Sequence, residues 1–241
     1  VRSRLVAYHA ARMASLPTRR FEGWQTVLAL VAVVAIDYVI GSNLTAELRS
    51  EVASSEEVDL FLVEMALEAA LLSPPLVFWL LGRLRWFRLA TLVVTGVLTV
   101  SLSVNVFGLV LSLDNYSDAY ELLWDAGLLW ITNVLIFSVW YWLVDSGGPE
   151  VRLRGALGQA SDFAFPQQTN QLPGWDRWRP GYLDYLFLAF SHSTAFSPTD
   201  TLILSRKAKL LIMVQASISL IVMTMIAARA INIIQSTPPG R

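Results

Sequence analysis

The sequence predicts an all-α integral membrane protein with five transmembrane helices and a re-entrant pore-helix and loop before the last of them. Three observations carry this. Of the 241 residues, 55% are hydrophobic and 15% charged, with a mean hydropathy of +0.52, which is too apolar for an ordinary soluble domain. Apolar runs long enough to cross a hydrocarbon core of roughly 30 Å recur along the chain, separated by polar linkers. Between Pro180 and Gln235, an apolar piece too short to cross, a polar bend and a long apolar helix follow one another.

Residues 1–21 carry Arg2, Arg4, Arg12, Arg19 and Arg20 with no acid, and read as a basic interfacial segment, although a transit peptide has a similar composition. No short apolar core with a small-residue cleavage site marks a removable secretory signal. The four-helix region, 22–145, begins with a span from Trp24 to Ile40. The second span, Val58 to Leu81, contains Glu64, Glu68 and Pro74-Pro75. The third runs from about Leu89 to Leu113 and the fourth from Leu122 to Val144, with Trp124, Trp130, Trp140 and Trp142 toward its two ends. Asp145-Ser146-Gly147-Gly148-Pro149 stops that helix. A polar connection, 146–180, mixes arginines with Phe163, Phe165, Trp175 and Trp178. It reads either as a surface helix on headgroups or as a binding loop. The last unit, 181–241, holds the short helix, the bend and the fifth span.

Basic residues assign the sides. Five precede the first span, three lie between the second and third, four are in the connection and three stand at Arg206, Lys207 and Lys209, fifteen of the eighteen in all. The positive-inside rule then places the N-terminus, the connection and the re-entrant segment in the cytoplasm. A sixth span over Leu183 to Leu204 would put Arg206-Lys207-Ala208-Lys209 outside, so five spans and a loop are preferred. Sixteen arginines against two lysines, with an opening Val, read as a GC-rich bacterial gene with a non-ATG start, and so as an inner-membrane protein.

Short helix, bend and full span, with Thr194-Ala195-Phe196-Ser197-Pro198 and Asp200 at the bend, resemble the second half of a pore-loop channel of the potassium-channel superfamily. The resemblance implies a pore helix, a filter, an inner helix and, with one module per chain, a homotetramer. Phe196 and Pro198 replace both filter glycines, and Asp200 falls one residue late. Potassium selectivity is therefore not implied, because proline cannot take up the filter's backbone angles. From Leu143-Val144-Asp145 through Phe165-Pro166 to the C-terminus, the chain is also similar to uncharacterised bacterial membrane proteins that end in a channel-like module.

Candidate residues follow from the cost of polar groups in lipid. Ser193, Thr194, Phe196, Ser197, Thr199 and Asp200 are the candidate permeation residues of the bend. Glu64 and Glu68 share one helical face and could relay a proton or bind a cation, or could simply be hydrated and hydrogen-bonded. His192 is either a proton-handling group or a structural one. Asp37 and Arg229 lie near the outward ends of their spans and suggest a structural ion pair or a gating contact. Asn105 and Asn133 read as interhelical donors, and Ala216, Ser219, Met223, Ala227 and Ala230 as a small-residue packing stripe.

Other classes drop out. The chain has no cysteine and only two histidines, His9 and His192, so neither a thiolate nor a histidine-rich metal site is expected. No nucleophile-base-acid arrangement, phosphate-cradling glycine loop or nucleic-acid module stands out, so no catalytic residue, cofactor or nucleic-acid partner is expected. The expected function is a channel-like path for a cation or proton, in a homo-oligomer within the lipid bilayer. The alternatives are a non-conducting accessory subunit docked on other membrane proteins and a small proton-coupled secondary transporter using Glu64 and Glu68.

Overall fold

The computed structural model describes residues 21–49, 70–111, 119–153, 160–169, 173–174, 178–194 and 200–236. Most of the basic N-terminal segment, Glu64, Glu68, Phe196, Ser197 and Thr199 lie outside them. The described residues are mostly helical: α1 (Phe21–Arg49), α2 (Ala70–Leu80), α3 (Leu84–Leu111), α4 (Ala119–Val144), α5 (Pro149–Leu153), α6 (Pro166–Thr169), α7 (Tyr182–Thr194) and α8 (Arg206–Ser236). Two short strands, β1 (Phe163–Ala164) and β2 (Leu202–Ile203), pair antiparallel.

Among the described residues, three helical segments, Leu84–Leu111, Leu122–Gly147 and Arg206–Arg229, are long and apolar enough to cross a membrane. Gly23–Val39 and Ala70–Leu80 are shorter apolar helices, and the first half of the expected second span falls outside the described residues. Membrane character is clearest in α3. Phe87, Thr91, Val94, Thr95, Leu98, Leu102 and Val106 make a buried stripe, yet the outward face carries Leu89, Val93, Val97, Val100, Val104 and Phe107. A helix at a water-facing surface would turn a polar face outward; here both faces are apolar, as lipid contact requires.

The centre is α4, against which α1, α3, α7 and α8 all pack. Its side chains are apolar nearly all round, and Leu122, Ala126, Leu129, Ile136, Phe137, Val139, Tyr141 and Leu143 are fully enclosed. Beyond Val144 the chain makes one tight 3-10 turn, in which Ser146, Gly147 and Gly148 all have positive φ (53°, 77° and 102°). Glycine supplies that geometry at two of the three positions, and Pro149 then starts α5. A Cβ on Gly148 would lie 2.6 Å from Nε of Arg88, so the turn lets the first turns of α3 rest on the end of α4.

Many helix ends meet here. Gly23 of α1 lies against Trp79 of α2, close to Phe87 of α3, and α7 and α8 both begin beside the end of α4. Arg88, Arg152 and Lys207 are thereby collected at one end of the bundle, with Arg83, Arg85, Arg206 and Lys209 close to them in sequence. The pairing of Phe163 with Ile203 and Ala164 with Leu202 was not expected. It joins the polar connection to the segment preceding α8.

Candidate functional site

The polar groups of the bundle form three layers. At the basic end, Asp145 sits buried at the close of α4 and accepts hydrogen bonds from several directions. Its Oδ1 takes the backbone N–H groups of Asp162 (2.9 Å) and Phe163 (3.3 Å) and the hydroxyls of Ser146 (3.1 Å) and Ser161 (3.2 Å). Its Oδ2 takes the phenol of Tyr185 on α7 (2.6 Å). One carboxylate therefore holds the connection and α7 to α4.

The carbonyls at the end of α4 need donors, because the helix supplies none past its last turn. Basic side chains provide them. Arg152 donates to the carbonyls of Asp145 (2.7 Å) and Trp142 (2.8 Å), with its guanidinium over the rings of Trp142 and Tyr185. Lys207, at the start of α8, donates to the Val144 carbonyl (3.3 Å) and pairs with Asp162 at 2.9 Å. Positive charge at a helix C-terminus also opposes the negative end of the macrodipole. At the start of α7, Asp184 accepts from the N–H of Gly181 (2.7 Å) and caps the helix, and burial raises its carboxyl above the usual range.

A second layer lies deeper in the bundle. Gln215 of α8 is completely buried, and its amide is fully used. Nε2 donates to the Ala189 carbonyl (2.8 Å) and the Ser193 hydroxyl (2.7 Å) of α7, while Oε1 accepts from the phenol of Tyr141 on α4. Trp130 of α4 donates to the carbonyl of Ser193 (3.3 Å), one of the last in α7. Asn133 donates to the Gln215 carbonyl (3.2 Å) and to Ser219 (2.7 Å). The far end of α7 is thus tied by polar side chains to both α4 and α8.

The third layer, toward the other end, centres on Asp37. Asn105 donates to Oδ1 at 2.7 Å and Ser101 to Oδ2 at 3.1 Å, both from α3. Residues four apart on α3 share one face and so present an amide and a hydroxyl to the two carboxylate oxygens of Asp37.

The described bend residues, Ser193, Thr194 and Asp200, are not brought together. Ser193 belongs to the Gln215 layer, and Thr194 donates to the Ser191 carbonyl (3.1 Å). Asp200 is exposed next to β2, at the basic end. His192 is half-buried with Nδ1 2.7 Å from the Leu188 carbonyl, a contact that requires the proton on Nδ1, and its ring meets Tyr141 edge-on. Asn105 and Asn133 are interhelical donors, as read from the sequence. Within the single chain the buried face of α8 is Gln215, Ile218, Ser219, Val222 and Met225; of the small-residue stripe, Ser219 is buried and Ala227 exposed. Sequence reasoning missed Gln215, Tyr141, Asp145 and Tyr185 as a set. An amide alone in the run Leu210–Met223 was the available signal, since a polar group in lipid needs a partner.

Among the described residues, no three His, Asp or Glu side chains stand together as a metal site. No protein-family model, curated protein or solved structure matches the chain.

Proposed function

We propose that this chain is a bacterial inner-membrane protein of five spans in which α7 and the residues up to Ser205 form a re-entrant hairpin, and that it provides a channel-like path for a cation or proton. One observation carries the reading. Tyr185, early in α7, bonds Asp145 at the end of α4, whereas Ser193 bonds Trp130, fifteen residues earlier in α4. At 1.5 Å of rise per residue, α7 descends roughly 20 Å, less than a hydrocarbon core of about 30 Å. By Leu202 the chain is again beside Ala164, and Lys207 reaches Val144. A segment that goes in and returns on the same side is a half-span, and backbone of that kind persists at membrane depth only where protein or water satisfies it.

The basic end is then cytoplasmic by charge, so the hairpin enters from the cytoplasm, opposite to a potassium channel. One hairpin per chain calls for a homotetramer if four surround an axis. Leu183, Phe187 and Phe190 of α7 and Leu210, Met213 and Leu220 of α8 are exposed on the single chain and are available for such an assembly.

The Gln215 layer supports a second reading, a non-conducting accessory subunit. A half-helix whose end is tied by Gln215, Tyr141 and Trp130 to its own bundle is sealed rather than open. Flux of protons and monovalent cations from proteoliposomes holding the purified chain separates the two, with Phe196→Ala and Glu68→Gln alongside. Gradient-driven flux altered by either substitution supports conduction. No flux under any gradient or pH leaves the accessory subunit.

A further inference from the structure

The cations at the basic end fall into two groups. Arg152 and Lys207 are spent on the carbonyls of α4 and on Asp162, Arg179 donates to the Arg152 carbonyl, and Arg88 rests on Gly148. Arg83, Arg85, Arg206 and Lys209 are different: all four are exposed, and none has an acidic partner among the described residues. Of the nearby acids, Asp145 and Asp162 are buried and engaged, Asp184 caps α7, and neither α3 nor α8 has an acid in its first turn; Asp200 is exposed at the same end, and one carboxylate against four cations leaves the surface positive.

Their placement is equally specific. Arg83 and Arg85 stand at the start of α3, Arg206 and Lys209 at the start of α8; the two helices pack on each other and on α4. Arg88 on Gly148 and Lys207 on Val144 bring both starts to the same end of α4. Immediately beside them the surface changes from charged to apolar. Trp86 is 52% exposed and stacked on Phe78, and Leu84, Leu89 and Leu210 are exposed as well. An exposed indole at the boundary between cations and an aliphatic surface marks the level of lipid headgroups.

We propose that Arg83, Arg85, Arg206 and Lys209 form a binding surface for the phosphodiester headgroups of anionic phospholipid in the leaflet at this end, with Trp86 at the headgroup level and the acyl chains along α3 and α8. The proposal rests on the reading that the basic end lies at a bilayer surface, and does not require conduction.

The test is lipid retention. The full chain is reconstituted in nanodiscs of equal phosphatidylglycerol and phosphatidylcholine and extracted in mild detergent, and the lipid that stays bound is weighed by mass spectrometry. Wild type is expected to retain phosphatidylglycerol about fivefold or more over phosphatidylcholine, since each cation near a surface favours anionic lipid by about that factor. The variant R83Q/R85Q/R206Q/K209Q is expected to fall to near parity, and R83Q/R85Q and R206Q/K209Q to fall partway. Each variant is checked for a wild-type elution volume, and the two double variants decide the matter if the quadruple one does not fold. Excess inorganic phosphate is expected not to displace the lipid. Equal retention of the two lipids by wild type, an unchanged preference in the double variants, or displacement by phosphate overturns the proposal. Flux does not enter the readout, so a chain that prefers anionic lipid and conducts nothing would remove only the channel reading.

Discussion

The phenol of Tyr185 donates a 2.6 Å hydrogen bond to Oδ2 of Asp145, tying the first turn of α7 to the residue that follows α4. The other oxygen of the same carboxylate holds Asp162 and Phe163, and Phe163 is paired with Ile203 just before α8. Thus the beginning and the end of the α7 excursion are both referred to one side chain. That side chain lies where the chain leaves the apolar layer, which is the position at which a hairpin has to be anchored if its depth is to be defined.

Removing the anchor is expected to be costly. Asp145→Ala leaves the Tyr185 hydroxyl and two backbone N–H groups buried without a partner, and should destabilise the chain by about 3 kcal/mol or more. Tyr185→Phe loses one hydrogen bond to a carboxylate and should cost about 1.5–3 kcal/mol. Thermal unfolding in detergent, followed by circular dichroism, ranks the two. A wild-type midpoint for Asp145→Ala would show that the anchor is dispensable.

Gly148 tests the turn rather than the charge. Its φ of 102° is one that side chains rarely adopt, and an added Cβ would lie 2.6 Å from Nε of Arg88 and 3.0 Å from the Leu143 carbonyl. Gly148→Ala should therefore cost about 1–3 kcal/mol from backbone strain alone. Adding Arg88→Ala removes the side-chain clash but not the strain, so the double variant should remain less stable than Arg88→Ala. Equal midpoints for Arg88→Ala and the double variant would refute the strain argument.

Much of this was legible because lipid imposes a simple code. Leu89 to Leu113 and Leu122 to Val144 read as spans from apolar length, and the structure has helices there. The stop at Asp145-Ser146-Gly147-Gly148 was legible from turn chemistry, and the two asparagines as donors from the cost of an unpaired amide. What could not be read was pairing across long sequence distance. Nothing local says that Asp145 will meet Tyr185, that Ala164 will pair with Leu202, or that Asn105 will hold Asp37. On α8, residue size indicates where helices can approach, but only the partners across the chain, Asn133, Tyr141 and Ser193, single out the face around Gln215.

The Asp37 layer makes a thermodynamic prediction. Asn105→Leu withdraws the shorter of two donors and leaves a carboxylate partly uncompensated in the bundle, so it should destabilise by about 2 kcal/mol. Asp37→Leu with Asn105→Leu removes both the charge and its partner, and should recover most of that loss. A double-mutant cycle by thermal unfolding measures the coupling, expected at about 1–3 kcal/mol. Additive losses would mean that the contact contributes no coupling.

The absence of cysteine makes the path of α7 directly measurable, since any introduced thiol is the only one in the chain. Ala160, Asp200 and Tyr120 are all exposed, the first two at the end of the bundle marked by Asp145 and the third in the opening turn of α4. If α7 goes in and returns, Ala160→Cys and Asp200→Cys should react with a membrane-impermeant maleimide from the same side of inverted or intact vesicles, and Tyr120→Cys from the other. Ser193→Cys should be unreactive from both sides, because it is held against Gln215 and Trp130 inside the bundle. Gln215→Leu removes the amide that fixes Ser193 and should raise its reactivity severalfold, with Asp200→Cys unchanged. Labelling of Ala160→Cys and Asp200→Cys from opposite sides would make α7 part of a complete crossing, and the hairpin would have to be abandoned along with the conduction built on it.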